Sequence, residues 1–234
     1  IFKKDFWRTG AKIKDLIMNI SIVGATGNVG RTTISILEKS KMKFDKLFLV
    51  ASQKSAGKKI KFRKEEIIVE SLEKYDFAKA QITFFAAGSQ IAKEWAPKAA
   101  KKTIVIDNSS YFRMQKDVPL VVPEVNAEAL NEHNNIISNP NCSTMQMVLA
   151  LKPLHDEYKI NRVVVSNYQA VSGADKAPMD ELFEQTKNFL DNKKINTKNF
   201  TKQIAFNLIP HIDVFDKDGY TKEELKMTNE TKKI

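Results

Sequence analysis

The chain has 234 residues, 42% hydrophobic and 28% charged, a composition that can bury one large core or two modest ones and that excludes a disordered or fibrous protein. A formal charge of +10 raises the question of nucleic-acid binding, but residues 1–17 hold +3 of it, five cations against Asp5 and Asp15; apart from one basic cluster over 54–64 the remainder is dispersed, without aromatic interleaving or a nucleic-acid module. A single cysteine rules out an intrachain disulfide and a multi-cysteine metal site, and no apolar run reaches the roughly 18–20 residues that span a bilayer, so the expectation is a soluble, cytoplasmic protein with neither a nucleic-acid nor a membrane partner.

Residues 1–17 lack the apolar core and cleavage site of a secretory signal and read as an extension, with the folded unit expected to start at Met18. NISIVG (19–24) then reads as a short buried strand and 28–39 as a helix directly after glycines, the opening of a βαβ unit. KLFLVAS (46–52) is a second strand, followed by a basic loop; EIIVE (66–70) and ITFFAA (82–87) are further strands. SQIAKEWAPKAAK (89–101) has helical spacing interrupted by Pro97, TIVIDNSS (103–110) is a buried strand with a polar end, and NIISN (135–139) leads into a turn. Apolar strands alternating with helices predict an α/β, doubly wound parallel sheet with ligands at the strand carboxyl ends. The pattern then changes to a helix at 144–158, a strand at 161–171, a helix near 176–191, a polar loop, IAFNLIPHIDVF (204–215) and a last helix from Thr221. This predicts a second domain, with an extension over 1–17, a cofactor-binding domain over 18–142 and a catalytic and dimerisation domain over 143–234.

GATGNVGR (24–31) places Gly24, Gly27 and Gly30 at three-residue spacing between a strand and a helix. Such glycines allow a tight turn and let backbone approach a pyrophosphate seated on the helix N-terminus. Glycine spacing alone also fits a plain turn; the strand before it and the helix after it favour dinucleotide binding. Thr26, Asn28 and Val29 complete the candidate contact set. Dinucleotide sites selective for NAD place an acid near the end of the second strand, whereas cations there accept a 2′-phosphate. Here the segment reads Ala51, Ser52, Gln53, Lys54, Ser55, with no acid before Glu65, which favours NADP, with Lys54 and Ser55 as contacts. Lys54 also opens a basic cluster with Lys58, Lys59, Lys61, Arg63 and Lys64, whose outer members read as surface.

SNPNCSTMQMVLAL (138–151) sets the lone Cys142 between a turn and an apolar helix. Asn139, Pro140 and Asn141 break what precedes, Ser143 and Thr144 are expected to cap, and the helix aims its N–H groups and positive dipole end at the sulfur, an arrangement that favours thiolate. The competing reading is a small buried hydrophobe. Arg113, just beyond the polar strand end in DNSSYFR, offers a guanidinium fork for an anion. Glu223 and Lys226, three apart on one helical face, read from spacing alone as a surface salt bridge.

With the glycine loop, DNSSYFR, NPNCST, YQAVSGA and the EELK helix in this order, residues 18–234 closely resemble the bacterial aspartate-semialdehyde dehydrogenase family. The resemblance implies a Rossmann-type domain followed by an α+β catalytic and dimerisation domain of the glyceraldehyde-3-phosphate dehydrogenase-like type, and a homodimer. It implies NADPH-dependent reductive dephosphorylation of β-aspartyl phosphate to aspartate semialdehyde, with release of phosphate, on the branch leading to lysine, threonine and methionine. Cys142 is then the nucleophile that forms a thioacyl enzyme, and Gln169 orients the acyl group, although by itself it reads as a polar strand residue. The same resemblance assigns Glu223 to the substrate amino group, Arg113 and Lys226 to phosphate, Ser172 and Gly173 to the cofactor, and Asn108 and Asn141 to the neighbourhood of the site. The related acetylglutamyl-phosphate reductases typically have glycine where this chain has Asn141.

The family completes its active site with a later segment of the type RxPVxxGH, and His133, His155 and His211 lie in no such motif. The expectation is therefore a chain truncated at its C-terminus, with its second domain incomplete. The alternatives are an NADP-binding protein of the same ancestry that has no turnover and, more distantly, a relative of the acetylglutamyl-phosphate reductases.

Overall fold

The computed structural model describes residues 18–234; the extension expected over 1–17 lies outside the described residues. Two compact units are present among the described residues, one built from residues 18–157 together with Asn229–Ile234 and the other from Tyr158–Thr228.

The first unit follows the predicted alternation. β1 (Asn19–Val23) leads through the glycine turn into α1 (Asn28–Lys39), then β2 (Lys46–Ala51), β3 (Lys59–Phe62), β4 (Glu65–Ser71), β5 (Ile82–Phe85), α2 (Ser89–Ala99), β6 (Ile104–Asp107), the single turn α3 (Pro123–Asn126), β7 (Ile136–Ser138) and α4 (Cys142–Tyr158). The strands form one sheet in the order β3-β4-β2-β1-β5-β6-β7. Every pairing is parallel except β3 with β4. Strand order reverses between β1 and β5, the topological switch point beyond whose strand carboxyl ends open α/β sheets hold their ligands.

Period-two alternation along the strands builds a core on each face. Ile20, Ile22, Leu49 and Val69 face one side, where Ile34 and Leu37 of α1 cover them, each such side chain contributing about 1.5–3 kcal/mol on burial. Val23, Val50, Phe85 and Val105 face the other, under Ala92, Ala96 and Ala99 of α2. Ser21 shares this second face. Its buried hydroxyl meets Thr83 Oγ1 at 2.7 Å, and Thr83 meets Thr103 at 3.1 Å, so the row satisfies itself inside the sheet.

Three local expectations are corrected. The basic loop after β2 contains an edge strand, because Ile60 and Phe62 alternate inward while Lys59 points out to pair with Glu66 at 3.0 Å. Arg63, at the following turn, lies over the rings of Phe44 and Phe62, so these outer cations serve the sheet edge. α2 runs through Pro97 and ends two residues later, so the proline costs the intrahelical bond to the Lys93 carbonyl without breaking the helix.

The third correction lies in the second unit. Residues 161–170 form no strand and join no ladder among the described residues, because β pairing requires a neighbouring strand; Val163, Val164 and Val165 remain 42%, 79% and 49% exposed. A short helical turn at Val171–Ala174 leads to α5 (Lys176–Leu190), and α6 (Lys222–Lys233) closes the chain. Within this unit the buried Glu181 carboxylate accepts from the backbone N–H groups of Lys198 and Asn199 at 3.0 and 2.6 Å, pinning the loop after α5 to the helix. Among the described residues, no helix is long and apolar enough to cross a membrane.

Candidate functional site

The glycine turn sits where β1 ends and α1 begins. Gly24 has φ +85°, and a Cβ there would lie 2.4 Å from the Ala86 carbonyl oxygen; a Cβ on Gly30 would lie 2.2 Å from the Gly24 oxygen. Both positions therefore require glycine, one for backbone conformation and approach to the neighbouring strand end, the other for packing of helix on turn. Gly27 stands at the N-cap without a side chain to bond the first turn, which contains no acid, so the helix start favours an anion. Thr26 donates from Oγ1 to Ser55 Oγ at 3.4 Å, tying this turn to the short helical turn Gln53–Ser55 after β2. Lys54 lies in that turn, and no carboxylate occurs between Ala51 and Lys64. Asn28 and Val29 begin α1. These residues fit a dinucleotide: bare helix start, close-packed glycines and a cation beside the second strand meet pyrophosphate and ribose requirements together.

The carboxyl ends of β5, β6 and β7 carry a second cluster. Asn108 Nδ2 donates to the Phe85 carbonyl at 3.2 Å, while its Oδ1 accepts from Asn139 Nδ2 at 2.7 Å. Asn139 N–H donates to the Asp107 carbonyl at 2.8 Å. Burial pushes the Asp107 carboxyl above the usual carboxylate range, even though Ser109 donates to it from backbone and hydroxyl. This network holds the turn from which α4 rises. Asn141, rather than Ser143 or Thr144, is its cap: its Oδ1 accepts the Ser143 N–H at 2.9 Å. Cys142 is the first helical residue and its side chain is exposed.

Arg113 is buried in the same unit. One guanidinium nitrogen donates to Glu230 Oε1 at 3.0 Å and another to the Asn108 carbonyl at 3.0 Å, whereas the buried Nε has no hydrogen-bond partner. The other carboxylate oxygen of Glu230 accepts the Asn141 N–H at 2.6 Å. The sequence gives no sign of Glu230 as a site residue, since it lies 117 positions from Arg113 and 89 from Asn141.

A third cluster belongs to the second unit. Gln169 Nε2 donates to Glu223 Oε1 at 3.2 Å, and Lys226 Nζ donates to Glu223 Oε2 at 3.0 Å and to Asp213 Oδ2 at 3.2 Å. Burial opposes the charge on Lys226, but Glu223 and Asp213 outweigh it and hold its pKa above the ordinary lysine value. Burial also opposes the ionised Asp213, yet the Val214 N–H and Lys226 hold its carboxyl below the usual range. Thus the Glu223–Lys226 pair read from spacing is present, Gln169 joins it, and Asp213 is an additional member. Ser172 and Gly173 lie exposed in the turn Val171–Ala174.

A parallel sheet with a glycine turn at its topological switch point defines a dinucleotide-binding domain, and an exposed thiol stands at the start of the helix that follows β7. Residues 19–133 match the family model described as semialdehyde dehydrogenase, NAD binding domain, and residues 151–234 match that of the semialdehyde dehydrogenase dimerisation domain. Aspartate-semialdehyde dehydrogenase from Vibrio mimicus is 48% identical over 219 residues, 92% of this chain and 69% of that protein; aspartate-semialdehyde dehydrogenase 2 from Vibrio cholerae serotype O1 is 49% identical, and the match covers 92% of this chain and 65% of its own length. The crystal structure of aspartate semialdehyde dehydrogenase II from Vibrio cholerae, complexed with ASA, superposes with a TM-score of 0.91 at 48% identity, over 94% of this chain and 66% of that one. The chain belongs to the aspartate-semialdehyde dehydrogenase family. It spans about two thirds of the length of these relatives.

Proposed function

We propose that the protein catalyses NADPH-dependent reductive dephosphorylation of β-aspartyl phosphate to aspartate semialdehyde in amino-acid biosynthesis, and that Cys142 is its nucleophile. The observation that supports this best is the exposed thiol at the first position of α4, on a turn fastened to three strand ends. The thiolate sulfur attacks the acyl carbon, the C–O bond to phosphate breaks, phosphate leaves with the electron pair, and a thioester remains on Cys142. NADPH, when bound, supplies the hydride that reduces an acyl group held on sulfur.

The remaining residues follow from their surroundings and family membership. Gly24, Thr26, Gly27, Asn28, Val29 and Gly30 receive the pyrophosphate region, Lys54 and Ser55 the 2′-phosphate that separates NADP from NAD, and Ser172 and Gly173 the nicotinamide side. Arg113 and Lys226 are the cations for the substrate phosphate, Glu223 meets the substrate amino group, Gln169 orients the acyl carbonyl, and Asn141 sets the approach to sulfur. We assign residues 18–142 to cofactor binding and 143–234 to catalysis and dimerisation. The exposed apolar side chains Val164, Tyr168, Phe183 and Leu208 of the second unit support a homodimer, and a cytoplasmic location accords with this chemistry.

Incubation with β-aspartyl phosphate followed by intact-mass measurement tests the reading. The expected result is one acyl adduct on Cys142 that hydroxylamine removes, NADPH discharges and Cys142→Ser abolishes. Tight NADPH binding with no adduct would replace the reductase with a nucleotide-binding protein that lacks turnover.

A further inference from the structure

We infer that Glu230 is a positioning residue for the nucleophile, fixing the Arg113 guanidinium and the backbone before Cys142 with a single carboxylate. The assignment rests on the reading of Cys142 as the reacting thiol, but its geometry stands separately. Glu230 is 2% exposed, and its two oxygens are divided, Oε1 to Arg113 at 3.0 Å and Oε2 to the Asn141 N–H at 2.6 Å. Asn141 caps α4 and immediately precedes Cys142, so whatever fixes its N–H fixes the direction in which the helix start presents the sulfur.

One turn further along α6, Lys233 Nζ donates to the carbonyls of Arg113, Gln115 and Val118 at 2.6, 2.7 and 2.8 Å. Burial lowers the Lys233 pKa, and the three carbonyls replace the water it has lost. Glu230 and Lys233 are three apart and so lie on one face of the helix. The end of α6 thereby grips Arg113 by its side chain and by its backbone. Glu230 has an electrostatic consequence as well: its negative charge lies against a helix N-terminus, where it is favourable, and it offsets the Arg113 cation. Removing the carboxylate leaves an uncompensated guanidinium and takes an acceptor from the Asn141 N–H.

The test compares alkylation of Cys142 by neutral iodoacetamide and anionic iodoacetate in the full chain, read by peptide mass. Glu230→Gln removes one negative charge near the sulfur and is expected to raise the iodoacetate-to-iodoacetamide rate ratio by about threefold, the size of one unit charge acting across a partly aqueous gap. Glu230→Asp keeps the charge but is one methylene too short to reach both partners; both rates change together and the ratio stays near that of the wild type. A wild-type ratio in a folded Glu230→Gln protein overturns the proposal. If Glu230→Gln does not fold, wild-type rates with both reagents in Glu230→Asp overturn it instead, and altered rates at constant ratio support it. Failure of the reductase reading has a different signature, a thiol that responds to these substitutions yet forms no acyl adduct.

Discussion

Arg113 and Glu230 form the most buried ion pair among the described residues, with side chains 10% and 2% exposed and nitrogen and oxygen 3.0 Å apart. Deleting one member of such a pair leaves an unpaired buried charge, whereas deleting both does not. Arg113→Met is therefore expected to destabilise the first unit by about 3–5 kcal/mol, and the double variant Arg113→Met with Glu230→Leu to recover most of that loss. Denaturant unfolding of the two single variants and the double variant measures the coupling; strictly additive losses would show that the pair does not act as a unit.

The glycine turn makes a sharper steric prediction. Gly30→Ala places a methyl 2.2 Å from a backbone oxygen that has nowhere to go, with an expected cost of about 1–3 kcal/mol from overpacking and weakened NADPH binding. Gly173→Ala meets nothing within 4 Å and should stay within about 0.5 kcal/mol of the wild type. Paired thermal melts and NADPH fluorescence titrations check both.

Cofactor choice is expected to turn on Lys54. On the proposed assignment, Lys54→Glu replaces a charge-assisted contact to the 2′-phosphate, worth about 1.5–3 kcal/mol, with repulsion, and supplies the acid that a ribose 2′-hydroxyl prefers. NADPH affinity should fall by at least about tenfold while NADH affinity holds or rises. Direct titration with both nucleotides decides it, and equal losses for the two would remove Lys54 from the 2′-phosphate site.

The pair between Asp213 and Lys226 predicts a pH dependence with a definite sign. Asp213 is held below its usual pKa in the folded state, so its contribution to stability is present above the ordinary aspartate value and is lost as pH falls through the folded value. Lys226 is held above its usual 10.5; its contribution is present below that value and is lost as pH rises through the folded one. The stability difference between the wild type and Asp213→Asn should be largest near neutrality and shrink toward about pH 3. Denaturant midpoints of the two proteins across that range test the expectation.

The parallel sheet, the glycine turn and the thiol at a helix start were legible in the residues themselves, whereas the exposure of that thiol came from the fold. Each is written in consecutive positions: apolar runs of strand length, glycines where backbone must approach backbone, a turn directly ahead of a helix. Strand β3 was less visible because its alternation of lysine with Ile60 and Phe62 is only four residues long and resembles a charged loop. The apolar run at 161–171 misled in the opposite direction, since β propensity describes a strand only when another strand pairs with it.

What local order could not reveal is which distant groups share an atom. Glu230 reads as one more acid on a polar helix, and only folding brings it to Arg113 and Asn141, which lie 117 and 89 residues earlier. Asp213 joins Lys226 across thirteen residues in the same way. Sequence spacing determines what one helix face or one strand presents, because those geometries repeat every few residues. The partner of a buried charge is decided by tertiary structure, because burial removes water as an alternative and leaves whichever polar group the fold has placed within reach.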